Sequence, residues 1–149
     1  MSLGEQHLLV DPMLSRPGSL PGFKFFGGGR RRNPLVPLPA DALAHLEQAT
    51  GVLITHEHPD HFHTASIRAL GKATHYLSPD FQHGHVVPYL SSQGYRASVV
   101  PAFRWVSIHP DVQILSIPLL NDDSVLVVDT PAAVAINLND SKPSRGQIR

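Results

Sequence analysis

The chain has 149 residues, a length typical of one domain, which buries about 70% of the surface of its unfolded chain. Hydrophobic residues make up 42% of it and charged residues 16%, which indicates a globular protein and excludes a disordered one. Twelve basic and twelve acidic side chains cancel, so broad electrostatic attraction to nucleic acid or to a membrane is not expected. The absence of cysteine excludes disulfide bonds and thiolate metal sites.

Two further patterns bear on where the protein acts. No apolar run approaches the roughly 20 residues that are needed to cross a bilayer. The N-terminus lacks the basic and then apolar segments of a secretion signal. We therefore expect a cytoplasmic protein without a membrane partner.

The predicted elements change character along the chain. Strands alternate with short helices in the first half, and strands follow one another in the second half, which indicates a mixed α/β architecture. Residues 15–39 are rich in proline and glycine and predict a long loop. In chain order, the patterns predict a strand over 7–10, a helix over 40–48, a strand over 52–54, a helix beginning at Thr64 or Ser66 and ending at Leu70, a strand at 76–77, a helix over 86–93, and strands over 97–100, 112–119, 124–128 and 132–138.

A cluster of histidines follows the predicted strand 52–54. Residues 55–63 read Thr-His-Glu-His-Pro-Asp-His-Phe-His and hold four of the ten histidines of the chain. Imidazole and carboxylate groups are ligands that zinc, iron and manganese accept. The sequence therefore predicts a metal site at the C-terminal end of a buried strand.

The spacing within the cluster predicts two neighbouring half-sites. His56 and His58 are two positions apart, so they project to the same side of an extended strand end. Pro59 stops the strand and favours a turn, which can bring Asp60 and His61 beside the first pair. Two metals held in this way can share a bridging hydroxide, which is a nucleophile near neutral pH.

The order His56-x-His58-x-Asp60-His61 resembles the signature of the metallo-β-lactamase fold superfamily. The segments Leu8-Leu9-Val10-Asp11-Pro12-Met13-Leu14 and Arg32-Asn33-Pro34-Leu35-Val36 resemble the branch of metal-dependent hydrolases related to L-ascorbate-6-phosphate lactonases. Two later segments, over 123–128 and 135–140, resemble the related domain of CMP-N-acetylneuraminate hydroxylases. The resemblance implies an α/β fold, an αββα sandwich shortened to little more than its first half, with residues 1–149 as a single domain that is incomplete at the C-terminus.

The resemblance also implies a ligand set. In that family the first histidine pair binds one metal, which corresponds to His56 and His58. The following Asp-His pair, here Asp60 and His61, contributes to a second metal, and an aspartate after a later strand bridges the two, a place that Asp140 occupies. The implied cofactor is one or two divalent ions, zinc first, with iron and manganese as alternatives.

Two histidines that the family pattern contains are missing, a third ligand of the first metal and a further one well downstream of the bridging aspartate. The family supplies a third histidine to the first metal shortly before the strand that precedes the bridging aspartate. Residues 119–123 read Leu-Leu-Asn-Asp-Asp in that place. The sequence leaves open whether Asn121, Asp122 or neither residue replaces the histidine.

The resemblance implies a metal-dependent hydrolase in which a metal-bound hydroxide attacks a small ester, lactone or phosphoester. Asp60 would be the catalytic residue that orients the water or accepts its proton. Two alternatives stay open, a non-catalytic protein that retains the metal motif and a domain serving oxidative chemistry on a nucleotide sugar.

Two expectations concern partners. The guanidinium groups of Arg30, Arg31 and Arg32 suit a phosphate or carboxylate of a small-molecule substrate, although the run is also typical of a solvated surface loop. A half-fold exposes a sheet face, so we also predict that the chain forms a homodimer through that face or belongs to a longer chain.

Overall fold

The computed structural model describes residues 2–3, 6–20, 33–42, 46, 48–81, 84–119 and 123–140. The arginine run at 30–32 and the candidate replacement ligands Asn121 and Asp122 lie outside these residues. The predicted helix over 40–48 lies partly outside them.

Five strands form the first sheet, in the order β1-β2-β3-β4-β5. The short strand β1 pairs with β2 in antiparallel fashion, and all the other pairs are parallel. Parallel pairing places the C-terminal ends of β2 to β5 at one edge of the sheet. The strands are β1 (Ser2–Leu3), β2 (Gln6–Val10), β3 (Ala49–Leu53), β4 (His75–Pro79) and β5 (Arg96–Val100).

Four antiparallel strands form the second sheet, in the order β6-β7-β8-β9. Each of the predicted strands overlaps an observed strand, whereas β1 and β6 were not predicted. The strands are β6 (Trp105–His109), β7 (Val112–Pro118), β8 (Ser124–Asp129) and β9 (Val134–Asn137).

Two short helices follow β3 and β4, namely α1 (Thr64–Leu70) and α2 (Val86–Ser92). The prediction that Thr64 or Ser66 caps α1 was wrong. The cap is His63, whose Nδ1 accepts a hydrogen bond from the backbone nitrogen of Ser66 at 3.3 Å. The helix ends before Gly71 as predicted, because the φ of +78° at Gly71 is a conformation that glycine adopts without a steric penalty.

The core lies on both faces of the first sheet. Between the two sheets, buried aliphatic side chains come from both sides. On the other face, α1 and α2 cover a second apolar cluster, so the described residues form helix, sheet and sheet layers, as the shortened sandwich predicts. The inter-sheet set is Leu8, Leu53, Leu77, Val100, Val112, Ile114, Leu126 and Val128; the set under the helices is Val52, Ile54, Ile67, Tyr76, Val86 and Leu90.

The outward side of the second sheet carries exposed apolar side chains. Val134, Ile136 and Leu138 alternate along β9 and beyond it, and each is about half exposed or more. Ile136 lies in register with Val127 of β8 on this face. The predicted homodimer concerns this surface and stays a prediction. Within the part of the chain that the structure describes, no helix has both the length and the apolar character to cross a membrane.

Candidate metal centre

The site begins where two parallel strands end side by side. The backbone nitrogen of Asp11, just after β2, donates to the carbonyl of Leu53 at the end of β3, at 3.0 Å. The Asp11 carboxylate then accepts from the backbone nitrogen of Thr55 at 2.8 Å and from its hydroxyl at 2.6 Å. Asp11 adopts a positive φ of 44°, a conformation that aspartate tolerates better than most residues. These bonds fix the backbone directly before the histidine cluster.

A tight turn folds the second half of the cluster back on the first half. The carbonyl of His58 accepts from the backbone nitrogens of His61 at 2.9 Å and of Phe62 at 2.7 Å. The ring of His61 consequently packs against that of the buried His56, with the ring centroids 4.0 Å apart. The turn predicted at Pro59 therefore brings the two halves of the motif together.

The two ring nitrogens of His61 face different groups. Nδ1 lies 2.9 Å from Oδ2 of Asp11, so this nitrogen donates to the carboxylate. Nε2 lies 3.5 Å from Oδ2 of Asp140 and 3.8 Å from Oδ2 of Asp60. A metal-binding histidine characteristically donates its second ring N–H to a carboxylate in this way.

A second convergence joins His56, His58 and Asp140. Each of the three offers one ligand atom, and the three atoms lie within 4.8 Å of one another. Nε2 of His56 is 2.8 Å from Nδ1 of His58. Two imidazoles and a carboxylate are a donor set that zinc, iron and manganese accept. The three residues therefore fit a divalent ion, and Asp140 lies close to His61 as well.

Asp140 reaches the site because the chain turns sharply after β9. The preceding residue, Asn139, has a φ of +50°, and its backbone nitrogen donates to the side-chain oxygen of Asn137 at 2.8 Å. The Asn139 amide nitrogen lies 2.7 Å from the hydroxyl of Thr55 and 2.8 Å from Nδ1 of His56. The end of the second sheet is thereby tied to the edge of the first sheet.

The electrostatics differ between the two central histidines. Burial lowers the pKa of His56, and the neighbouring His61 and His58 lower it further, so this ring is neutral at pH 7. Burial also opposes protonation of His61, but its bond to Asp11 and the charges of Asp11, Asp60 and Asp140 together raise its pKa. Three carboxylates around one imidazole create a negative region that favours a cation.

The comparison with protein families assigns the fold. A family model described as a beta-lactamase superfamily domain matches residues 6–137. The chain belongs to this family. Among curated proteins, no relative matches the chain.

Three solved structures resemble the chain in fold. A possible metal-dependent hydrolase from Veillonella parvula superposes with a TM-score of 0.80 at 18% identity, covering 97% of this chain and 60% of its own. An isothiocyanate hydrolase from Delia radicum gut bacteria has a TM-score of 0.65 at 24% identity over 83% of this chain and 51% of its own. A metallo hydrolase from the archaeon Ignicoccus hospitalis has a TM-score of 0.52 at 14% identity over 85% of this chain and 49% of its own. The chain thus spans between about half and three fifths of these proteins.

The structure of this superfamily member adds three residues that the sequence reasoning missed. Asp11, Asn139 and Asp123 were not among the predicted site residues. Oδ1 of Asp123 accepts from the Asn139 amide at 3.2 Å and from the backbone nitrogen of Ser124 at 2.8 Å. The position of a polar residue directly after a predicted strand was the available signal for Asp11, because parallel strands end at a common edge.

Two other histidines lie at the starts of the two helices. His63 caps α1 and contacts the hydroxyl of Ser66 at 2.8 Å. His85 precedes α2 and makes no side-chain cap bond there. Its neighbour His83 lies outside the described residues.

Proposed function

We propose that this chain is a metal-dependent hydrolase acting on a small ester, lactone or phosphoester. The observation that carries the proposal is the convergence of His56, His58 and Asp140, whose ligand atoms lie within 4.8 Å of one another. These are three of the residues that the superfamily motif assigns to metal binding. The superfamily membership and the hydrolases among the structural neighbours support the same reaction class.

In this proposal His56 and His58 would hold a first ion, His61 and Asp60 would hold a second, and Asp140 would contribute to both. A divalent ion at such a site acts as a Lewis acid and lowers the pKa of water, so that hydroxide is available near neutral pH. Zinc suits the nitrogen and oxygen ligands, and iron and manganese are the alternatives to test.

The residues of the chain have distinct tasks. Asp11 holds His61 through Nδ1 and leaves Nε2 directed at the carboxylates of Asp60 and Asp140. The side chain of Asp60 is one quarter exposed, so it can orient an incoming water or accept its proton. Asp140 is mostly exposed, which leaves the site open to a small substrate from the solvent side.

The candidate substrates have an electrophilic centre in common. The lactonase-like resemblance favours a lactone or a phosphoester, and the proposed role of Arg30, Arg31 and Arg32 is to bind a phosphate or carboxylate of the substrate. One structural neighbour is an isothiocyanate hydrolase, so an isothiocyanate belongs in the same test panel.

A second candidate function is metal binding without catalysis. The family position of the third histidine falls at residues 119–123, which contain none. Oδ1 of Asp123, the described carboxylate of this segment, is bound to Asn139 and to its neighbouring backbone. This arrangement favours an incomplete first site that binds an ion and does not turn over substrate.

The experiment combines metal analysis with a hydrolysis panel. The purified chain is loaded with zinc, iron or manganese and assayed on lactones, phosphodiesters, carboxylic esters and an isothiocyanate. We expect turnover that His58→Ala abolishes together with the metal, whereas His85→Ala, the matched control outside the cluster, retains both. Asp60→Asn should lower kcat by about 100-fold or more, as is typical for loss of a proton acceptor. Stoichiometric metal without turnover on any substrate would contradict the hydrolase and support the second candidate.

A further inference from the structure

An apolar groove lies between the two sheets on the side of β2 and β9. Its volume is about 580 Å³, and small-molecule sites in proteins typically have volumes of roughly 300–1,000 Å³. Leu8 and Leu53 line the groove from the first sheet, and Leu126 and Ala135 line it from the second sheet. These side chains belong to the inter-sheet core or pack against it, so the groove is an opening into that core.

The groove exists because β9 carries a small side chain where it faces the first sheet. Residues two apart in a strand point to the same face, so Ala135 and Asn137 face inward. Val134 and Ile136 face outward, in agreement with their exposed fractions of 58% and 63%. The side chain of Ala135 ends at Cβ, which leaves space between β9 and β2. Among the described strands, none pairs with the outer edge of β9, so the groove is open to solvent there.

One end of the groove lies at the candidate metal centre. Val10, at the end of β2, and Asn139, just beyond β9, line this end. The next residue after Val10 is Asp11, which binds Nδ1 of His61 at 2.9 Å. The next residue after Asn139 is Asp140, whose carboxylate lies 3.5 Å from Nε2 of the same ring. The apolar walls therefore end beside the groups that are proposed to hold the metal.

The chemistry of the walls restricts what the groove can bind. The described residues that line it are eight aliphatic residues and two asparagines, with no charged side chain among them. The asparagines, Asn137 and Asn139, lie at the end near the metal centre. A phosphate or carboxylate group inside the groove would lose its water without gaining a charged partner. An alkyl chain fits these walls, because each buried methylene group strengthens binding by about fourfold.

We propose that this groove binds the alkyl chain of the substrate, and that the substrate is a lactone or carboxylic ester with an unbranched chain of medium length. The inference rests on the proposed hydrolase and deepens it, because it selects a substrate class for the same site. With the chain in the groove, the carbonyl group lies at the end beside His61 and Asp140. Hydrolysis adds one water across the acyl–oxygen bond: the hydroxyl joins the acyl carbon, and the proton goes to the leaving oxygen.

The first test varies the length of the chain in the substrate. The full chain, loaded with the metal that supports turnover, is assayed on p-nitrophenyl esters from acetate to octanoate and on lactones from γ-butyrolactone to γ-octalactone. We expect kcat/KM to rise by about three- to fourfold for each added methylene group, mainly through a lower KM. Equal kcat/KM values along both series would overturn the inference and leave the proposed hydrolase intact. These measurements on the unsubstituted protein decide even if a variant does not fold.

The second test fills the groove with a larger side chain. Ala135→Phe should lower kcat/KM for the octanoate ester by about tenfold or more, the effect of excluding two or more methylene groups, and leave the acetate ester unaffected. Ala135→Leu is the milder variant if the phenylalanine prevents folding. Val134→Phe is the matched control, because the neighbouring side chain points away from the groove, and it should keep the preference for octanoate. A preference that survives in folded Ala135→Phe would overturn the inference.

The third test needs neither metal nor turnover. Binding of octanol to the metal-free full chain is measured by isothermal titration, because an uncharged ligand is not repelled by the carboxylates near His61. We expect saturable binding that is weaker for butanol, lost in Ala135→Phe and retained in Val134→Phe. Octanol binding without turnover on any substrate would contradict the proposed hydrolase and support the groove. Absence of octanol binding would overturn the inference, and a dimer in light scattering would then indicate that a second copy of the chain fills the groove.

Discussion

Oδ2 of Asp11 lies 2.9 Å from Nδ1 of His61, although 50 positions separate the two residues along the chain. The contact exists because β2 and β3 are parallel neighbours and end at the same edge. The same carboxylate also binds the backbone and hydroxyl of Thr55. The Asp11 side chain thereby connects the end of β2 to Thr55, just before the histidine motif, and to His61, the last residue of that motif.

Asp11→Asn should weaken zinc binding by about 10- to 100-fold, the usual effect of losing the partner that orients a ligand histidine. The amide has one acceptor oxygen in place of two, so either Thr55 or His61 loses its bond. We expect the free energy of unfolding to fall by about 1–3 kcal/mol for the same reason. Isothermal titration with zinc and chemical denaturation measure the two effects.

The matched control for Asp11 is Asp80→Asn, which changes an exposed carboxylate at the end of β4. Asp80→Asn should leave the zinc affinity and the free energy of unfolding unchanged within experimental error. Equal zinc affinities for the Asp11 and Asp80 variants would show that Asp11 does not orient His61.

Removing the metal should lower the thermal stability of the protein. An ion that binds only the folded state at a free concentration of about 100 times its Kd adds about 2.7 kcal/mol to the free energy of unfolding. Zinc should therefore raise the Tm, and EDTA should reverse the shift. His58→Ala should lose the response and His85→Ala should keep it; a zinc-dependent rise that survives in His58→Ala would place the ion elsewhere.

Tyr76→Phe should reduce stability without affecting the metal site. The Tyr76 ring is fully buried, and its hydroxyl lies 2.8 Å from the carbonyl of Gly71 and 3.1 Å from that of Ile67. Burial raises the pKa of this hydroxyl to about 12, so it is a proton donor at every physiological pH. Its removal leaves the last turn of α1 without this donor, which costs about 1–3 kcal/mol.

Urea denaturation measures this loss. Tyr89→Phe is the control, because the Tyr89 ring is partly exposed and its edge contact with Phe62 does not need the hydroxyl. Equal denaturation midpoints for the two variants would show that the bond to α1 does not stabilise the helix.

His75 should make the stability depend on pH at a place far from the metal cluster. Burial, followed by the charge of Arg96, lowers the pKa of His75 below its ordinary value of 6.5. Below pH 6.5 the unfolded chain binds the proton more readily, so the stabilising effect of the neutral ring is present above that pH and is lost as the pH falls through the folded-state pKa. The neutral ring is bonded to Ser98, with Nε2 and Oγ 2.9 Å apart.

His75→Gln keeps a polar partner for Ser98 and removes the titration. Denaturation from pH 8 to pH 5 should show the stability of the original chain falling more steeply than that of the variant below pH 6.5. Because the other histidines are common to both proteins, the difference between the two curves isolates His75. If the difference in the free energy of unfolding between the two proteins does not change with pH, His75 is not the source of the pH dependence.

The metal motif could be predicted from the sequence because its residues lie close together along the chain. His56 and His58 follow a buried strand, and a proline forces the turn that returns His61, so a few residues carry most of the geometry. The role of Asp140 could be predicted only from the family resemblance, since the distance of Asp140 from the histidines depends on how the two sheets pack.

Asp11 and Asn139 could not be derived in this way. The Asp11 contact requires the knowledge that β2 and β3 are neighbours, and the contacts of the Asn139 amide join three segments. The cap of α1 was missed because histidine is not among the preferred capping residues. The strand β6 pairs with β7 through an irregular register, and its alternation of apolar and polar residues was too short to be recognised in the sequence.

The central claim is that His56, His58 and Asp140 hold a metal ion. Anomalous diffraction from crystals of the full chain grown with zinc, with data collected on both sides of the zinc edge, tests this claim most directly. We predict an anomalous peak within about 2.3 Å of ligand atoms from all three residues, and a second ion would give another peak beside Asp60 and His61. Zinc-soaked crystals that show no anomalous density at this cluster would contradict the account.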